Sequence, residues 1–161
     1  MIGWLLDTNV IAELIAPRGS PVVKTWAAAQ DEVQFYLSIL TIGEYDKGIA
    51  NLADDDARRA IYMTGRDRLA LRFERRLLPV SDQVIRRWGT ISGRVRRDTG
   101  HPPPVINTLL AATALEHDLY LVTRNTRDVQ HCGAMVFNPW DDDPSGFPLL
   151  PRLRRSRRAG A

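Results

Sequence analysis

The chain opens on an apolar run, Ile2-Gly3-Trp4-Leu5-Leu6, too short for a helix and closed by Asp7. A continuous run of this kind reads as a strand buried on both faces, where no polar alternation is needed. Val10 to Ile15 then forms a short helix ended by Pro17 and Gly19, and Pro21 starts another before Val22 to Gln30. The β-branched and aromatic content of Val33-Gln34-Phe35-Tyr36-Leu37 predicts a second strand. After it, Ile42, Tyr45, Ile49 and Leu52 recur at helical spacing and define one buried face, which Glu44 borders. Two long arginine-rich helices, Asp54 to Arg76 and Ser81 to Asp98, enclose a short strand, Leu77 to Val80, with Ser81 as N-cap of the second helix. Beyond the stiff break from Gly100 to Pro104, Asn107 to His117 reads as an alanine-rich helix. Leu119 to Thr123 reads as a strand, and Ala134 to Phe137 as the last one. Alternation of this kind predicts the α/β class, with a mainly parallel sheet covered by helices on both faces.

Length adds one domain. The 161 residues, 44% hydrophobic and 25% charged, suit a single core that needs no staples. Residues 1–140 are expected to form the folded domain, and 141–161 a basic, disordered tail. The apolar runs are too short to span a membrane, and a cytoplasmic protein is expected. One cysteine, Cys132, excludes an internal disulfide, and no histidine accompanies it at zinc-site spacing. His101, His117 and His131 read as surface or loop residues. The net charge of +3 conceals an asymmetry: five of the 22 basic residues, Arg152, Arg154, Arg155, Arg157 and Arg158, fall after residue 150 with no acid among them. The remainder carries 17 basic against 19 acidic residues. Such a tail is able to grip nucleic-acid phosphate or to be simply solvated. The same two readings apply to the arginines at 86, 87, 94, 96 and 97, of which a solvated helix face is the commoner fate.

Candidate chemistry sits at element ends. Asp7 follows the first strand, Glu44 lies on the helix after the second, and Asp128 follows the strand Leu119 to Thr123. In open α/β sheets the carboxyl ends of strands are where sites form. Singly, each acid has an ordinary role: Asp7 as a helix cap, Glu44 as a partner of Lys47, Asp128 as a solvated loop residue beside the turn former Asn125. Jointly they repel, by about 4 kcal/mol per pair at 4 Å and an effective dielectric of 20. A cluster of this sort calls for a cation, and hard oxygen ligands in small number suit Mg²⁺ or Mn²⁺. Metal-assisted phosphodiester hydrolysis is the reaction class this implies. A phosphatase of the haloacid-dehalogenase type needs a second acid two residues after the first, where this chain has Asn9. Receiver-like phosphoacceptors need a lysine near the phosphate, and Lys24 and Lys47 are the only two here.

The strings Leu5-Leu6-Asp7-Thr8-Asn9-Val10, Thr41-Ile42-Gly43-Glu44 with Gly48-Ile49, residues 109–128 and Asn138-Pro139-Trp140 together resemble the PIN-domain ribonucleases, closest to VapC-type toxins of toxin-antitoxin systems. The resemblance covers residues 1–140. It implies a PIN-like α/β/α sandwich and a Mg²⁺- or Mn²⁺-dependent endoribonuclease acting on RNA, with transfer RNA among the candidate substrates. It also implies a homodimer and a VapB-like antitoxin that blocks the site, in a heterotetramer or larger assembly. By the same resemblance Asp7 and Glu44 match the first two acidic metal ligands, and Asp128 the fourth polar position, with Asn125 as its alternative and Asn9 as a further candidate. Asn107 occupies the third, where relatives carry aspartate, and Asp46 stands where they often carry a basic residue.

Asparagine keeps the shape of aspartate but offers one neutral carbonyl oxygen where an ionised ligand would be. Metal affinity is expected to fall, leaving a weakened site on an intact nuclease scaffold. The competing account makes Asn107 an N-cap of its helix, worth about 1 kcal/mol. The alternative at the level of function is a PIN-like domain that binds RNA or an antitoxin without cutting.

Overall fold

A computed structural model describes residues 1–150. The opening apolar run forms β1 (Gly3–Leu6), buried at all four positions, and it becomes the centre of the sheet. β2 (Phe35–Ser38) and β3 (Leu77–Leu78) lie on one side of it, β4 (Leu119–Val122) and β5 (Val136–Phe137) on the other, in the order β3-β2-β1-β4-β5. Every pairing is parallel, with Leu5 opposite Tyr36 and Leu121. Between the strands run α1 (Thr8–Ile15), α2 (Pro21–Ala28), α3 (Ile39–Ala50), α4 (Arg58–Arg72), α5 (Asp82–Thr99), α6 (Val105–Glu116) and the single turn α7 (Thr126–Val129). The expected α/β/α sandwich is what forms.

Strand periodicity sorts the core into two layers. Trp4, Leu6, Tyr120 and Val122 point to one face, against Val10 and Ile11 of α1, Val23 and Trp26 of α2, and Leu69 of α4. Leu5, Leu119 and Leu121 point to the other, against Val84, Ile91 and Val95 of α5 and the buried stretch Leu109–Ala112 of α6. The first layer is aromatic: Trp4 meets Trp26 edge-on at 5.4 Å and packs on Tyr120 and Phe137 at 5.1 and 5.2 Å. The second uses alanines, which let α6 lie close to the sheet while α5 covers it. Cys132 is buried in this layer, and burial pushes its thiol up, away from reactivity.

Element ends depart from the sequence reading for local reasons. The second strand was expected from Val33, but Asp31 accepts a hydrogen bond from the Val33 N–H at 3.1 Å and winds Glu32–Gln34 into a 3₁₀ turn. Pro79 ends β3 after two residues, short of Val80. The expected helix from Asp54 to Arg76 is shorter at both ends, with a 3₁₀ turn at Glu74–Arg76. Ser81 caps α5 as expected, accepting from Val84 N–H at 3.3 Å, and Gly100, at φ +80°, ends it. α6 begins at Val105 with Pro104 as its N-cap residue, so Asn107 is the third helical residue and not a cap. His117 is half-buried at the end of α6 with its Nε2 unpartnered, unlike the exposed His101 and His131.

Residues after Trp140 do not leave the body at once. Phe147 packs on Tyr120 and Phe137, Tyr120 donates to the Pro148 carbonyl at 3.1 Å, and Leu150 N–H donates to the Met1 carbonyl at 2.9 Å. The five arginines expected to form a basic tail lie outside the described residues. Among the described residues no helix is long and apolar enough to cross a membrane.

Gly3 holds β1 and β2 at their spacing. A methyl group at this buried position would collide with the Gln34 carbonyl oxygen and stand 2.9 Å from Cε2 of Tyr36. Gly3→Ala is therefore expected to lower stability by about 1–3 kcal/mol, read as a lower urea midpoint with an unchanged slope. An unchanged midpoint would show that the start of β2 yields freely.

Candidate active site

The connection from β1 turns towards β2, while β4 lies on the opposite side, so the carboxyl ends of β1 and β4 flank the point where strand order reverses. Crevices of open α/β sheets form there. Asp7 stands at its edge and belongs to both neighbouring elements. Its N–H continues the ladder by donating to the Val122 carbonyl at 3.0 Å, and its side chain caps α1, Oδ1 accepting from Thr8 N–H at 2.6 Å. No loop separates strand from helix.

Only 5% of Asp7 is exposed, and its second oxygen is as fully engaged as its first. Oδ2 accepts from Thr123 Oγ1 and from Asn9 Nδ2, both at 2.6 Å. Thr123 is held in turn: its hydroxyl oxygen accepts from Asn9 Nδ2 at 3.1 Å and from Asn125 N–H at 2.9 Å. The Asn9 carbonyl closes the network by accepting from Arg124 N–H at 3.3 Å. Asn9 and Asn125 thus serve the Asp7 network, Asn125 through its backbone.

Glu44 reaches the same place from α3, which follows β2 without a loop because Ser38 caps it, accepting from Leu40 N–H at 3.2 Å. The ordinary role open to Glu44 was an ion pair with Lys47, three residues on. Instead its Oε2 accepts from the Thr8 hydroxyl, which also lies 3.5 Å from buried Thr41 Oγ1. Thr8 thereby links both acids, its N–H to Asp7 and its hydroxyl to Glu44. Burial pushes the Asp7 carboxyl above its ordinary range and the Glu44 charge adds to this, while the bonds from Thr123, Thr8 and Asn9 pull the other way.

Asn107 and Asp128 form a second pair. The Asn107 amide donates to Asp128 Oδ2 at 2.7 Å, joining α6 to α7. Asp128 is an exposed helical residue and not part of a loop, and Asn125 precedes that helix without a side-chain capping bond. Among the described residues no three His, Cys, Asp or Glu side chains stand close enough to hold a metal ion by themselves. Nor does any lysine or arginine there pair with Asp7 or Glu44.

Positive charge elsewhere is mostly engaged. Arg86 pairs with Asp82 at 2.7 Å, Arg87 with Glu116 at 2.9 Å and Arg97 with Asp98 at 3.3 Å, while Arg94 donates to the His131 carbonyl. A phosphate-guiding face on α5 is therefore less well supported than a solvated one. Asp46, two residues after Glu44 on α3, pairs with Arg66 of α4. Ala12, Ile15, Tyr45, Ile61 and Tyr62 line an open apolar groove of about 850 Å³ between α1, α3 and α4.

Thr8 and Thr123 were not among the candidates read from the sequence. Their signal was present: each is a hydroxyl residue immediately beyond the last residue of a strand or its terminal acid.

Residues 4–132 match the family model for the PIN domain. The chain is 30% identical over 138 residues to the toxin FitB of Neisseria gonorrhoeae, covering 86% of this chain and 99% of FitB. It is 29% identical over 138 residues to the VapC ribonuclease Y4jK of Sinorhizobium fredii, covering 85% and 97%. In three dimensions it superposes on the crystal structure of FitAcB from Neisseria gonorrhoeae with a TM-score of 0.74 at 29% identity, covering 85% of this chain and 98% of that one. Against the structure of FitAB bound to an IR36 DNA fragment the TM-score is 0.76 at 28% identity, covering 87% and 97%. A parallel α/β sheet with paired acids at its switch point is the arrangement found here, and the chain belongs to the PIN domain family. Within it, its relatives are the VapC and FitB toxins.

Asp7 makes stability depend on pH. A carboxyl whose folded pKa is raised binds more protons folded than unfolded between the two values, so stability falls as pH rises through that window. Asp7→Asn, which removes the buried charge and keeps an acceptor for Thr8 but turns an amide donor towards Asn9 and Thr123, is expected to lose this pH dependence in metal-free buffer. Its stability relative to the parent should therefore rise with pH above the ordinary aspartate range. A gap that is constant with pH would show that Asp7 is not the titrating group.

Proposed function

We propose that this protein is a divalent-metal-dependent endoribonuclease toxin, with Asp7 and Glu44 as its principal acids and Mg²⁺ or Mn²⁺ as its ion. The observation that carries this reading is the Asp7–Glu44 pair: two carboxylates, one of them buried, joined through Thr8 and left without a basic partner among the described residues. Evolution of a stable fold alone would neutralise or remove such a pair. An all-oxygen donor set of one or two carboxylates fits Mg²⁺, which keeps several waters and shares its remaining positions with substrate phosphate. When bound, the ion supplies Lewis acidity and a lowered water pKa at the phosphodiester.

The chain's own residues set up that chemistry. Thr123 and Asn9 hold Asp7 Oδ2 from one side and the Thr8 N–H holds Oδ1, so the carboxylate cannot rotate. Thr8 orients Glu44. Asn107 and Asp128 are assigned to the third and fourth polar positions by their match to the family pattern, and their mutual hydrogen bond supports treating them as a pair. In the geometry seen here the Asn107 amide donates to Asp128 and occupies one of its oxygens. A site with aspartate at 107 would carry one more negative charge, so the present chain has a weakened nuclease site.

An antitoxin is the partner. The relatives of known structure include FitAB and VapBC complexes, some with DNA. Here α1 and α3, which carry Thr8 and Glu44, also form an apolar groove lined by Tyr45, the chain neighbour of Glu44, and by exposed Ile15 and Ile61. We place the apolar face of a VapB-like segment in that groove, where an arginine from it reaches the acidic crevice and takes the cation's place. A homodimer of the toxin is proposed with it.

Asn107→Asp is expected to raise Mg²⁺-dependent cleavage of single-stranded RNA by about tenfold or more, equivalent to 1.4 kcal/mol off the barrier. Asp7→Ala should abolish cleavage in both backgrounds. Metal-dependent cleavage that survives Asp7→Ala would sink the assignment. No cleavage by either the parent or the Asn107→Asp form, with RNA still bound, would favour a non-catalytic RNA-binding role.

A further inference from the structure

We propose that Arg124 is a substrate-positioning residue of this site, binding an RNA phosphate next to the one that is cut. The inference rests on the ribonuclease reading above. Arg124 follows Thr123 in the chain, and its own N–H donates to Asn9, so its backbone is built into the network that holds Asp7. Among the described residues it is the arginine that joins a ring contact to unspent donors: Arg76 also stacks on a ring but its donors are taken, and Arg18, Arg68, Arg75, Arg96 and Arg127 leave theirs unspent without stacking. The guanidinium carbon lies 4.2 Å from the centre of the Trp140 ring, which fixes its plane, while the side chain remains 57% exposed. Its one acidic neighbour, Glu13, is at 3.9 Å, beyond hydrogen-bond reach.

Arginines 58, 59, 66, 72, 76, 86, 87, 94 and 97 all give hydrogen bonds to carboxylates or carbonyls. Arg124 gives none from its guanidinium among the described residues, although it is held in place. A stacked, oriented guanidinium with its donors unspent is suited to bidentate capture of a phosphate. Stacking on an indole adds attraction for the cation and lowers the entropy lost when an anion binds. The ligand class follows from the surroundings. A lone carboxylate or phosphate monoester would be repelled by Asp7, Glu44 and Glu13 without gaining anything from the acids. A polyanionic strand that brings one phosphate to the cation at the acids brings its neighbour within reach of the rim. Glu13, one helical turn beyond Asn9 on α1, competes weakly for Arg124 in the free protein while its Oε2 accepts from Ser20 N–H at 2.7 Å.

The test is fluorescence anisotropy of a labelled, mixed-sequence single-stranded RNA oligonucleotide bound to the full chain with Ca²⁺, another hard oxygen-binding cation, in place of Mg²⁺, over a series of salt concentrations. Arg124→Gln should weaken binding about tenfold and reduce the salt slope by about 0.7, the loss of one phosphate contact to a single strand. Arg127→Gln, an exposed arginine on α7, should do neither. Glu13→Gln keeps the acceptor for Ser20 and should tighten binding, and that gain should shrink in the Arg124→Gln background. In cleavage assays Arg124→Gln should raise KM more than it lowers kcat. RNA binding by the parent with affinity and slope unchanged in Arg124→Gln would overturn the inference and leave the ribonuclease reading standing. An Arg124→Gln defect confined to antitoxin binding would overturn it as well. Absence of RNA binding by the parent, with or without the Asn107→Asp change, would overturn both.

Discussion

A carboxylate withdrawn from water at the end of the central strand sets the terms for everything around it. Asp7 is nearly inaccessible, so its charge has to be met by the protein, and three donors, Thr8 N–H, Asn9 Nδ2 and Thr123 Oγ1, stand where water would have been. Three elements are pinned as a result: α1 by the cap, β4 by the ladder bond and by Thr123, and the start of the turn after β4 by Asn125 and Arg124. Those donors are neutral. They offset desolvation only in part, as the raised carboxyl pKa records, and the remainder is an attraction for a cation. Stability and chemistry therefore oppose each other at one atom pair, a compromise common at functional sites.

Most of the fold was legible because its signals were of the kind that sequence carries. Continuous apolar strands, alternating with helical repeats, leave little choice but a parallel sheet between two helical layers. Boundaries were less legible, since they turn on single side chains: Asp31 winding a 3₁₀ turn where a strand was expected, Pro79 stopping β3, Pro104 taking the position that Asn107 was given. The fate of residues 141–150 was hidden for another reason. Phe147 is one aromatic among charged and turn-forming residues, and only the Tyr120–Phe137 surface makes it part of the core.

The site divides along similar lines. Asp7, Glu44, Asn107 and Asp128 stood out as acids, or the place of an acid, at element ends. What they bond to did not, because the relevant contacts span 36 residues from Thr8 to Glu44 and 116 from Asp7 to Thr123. The local alternatives were physically reasonable and lost to them: a Glu44–Lys47 pair is worth only about 0.2–0.5 kcal/mol, less than a charge-assisted bond from a half-buried hydroxyl. Asn107 is the clearest case. Its helix-capping propensity is real, yet α6 starts two residues earlier, and from inside the helix its amide donates to Asp128 of α7.

The missing loop between β1 and α1 has a consequence for control. An acid mounted on a connecting loop can be switched by moving the loop, as lids and activation segments are. Asp7 is simultaneously the last rung of a buried ladder and the first cap of a helix, and Glu44 rides on a helix that likewise starts where its strand stops. Neither can swing aside without breaking the sheet's central pairing or a capped helix. A nuclease so constructed has no off position of its own; silence has to be imposed by something that sits in the crevice and stays there.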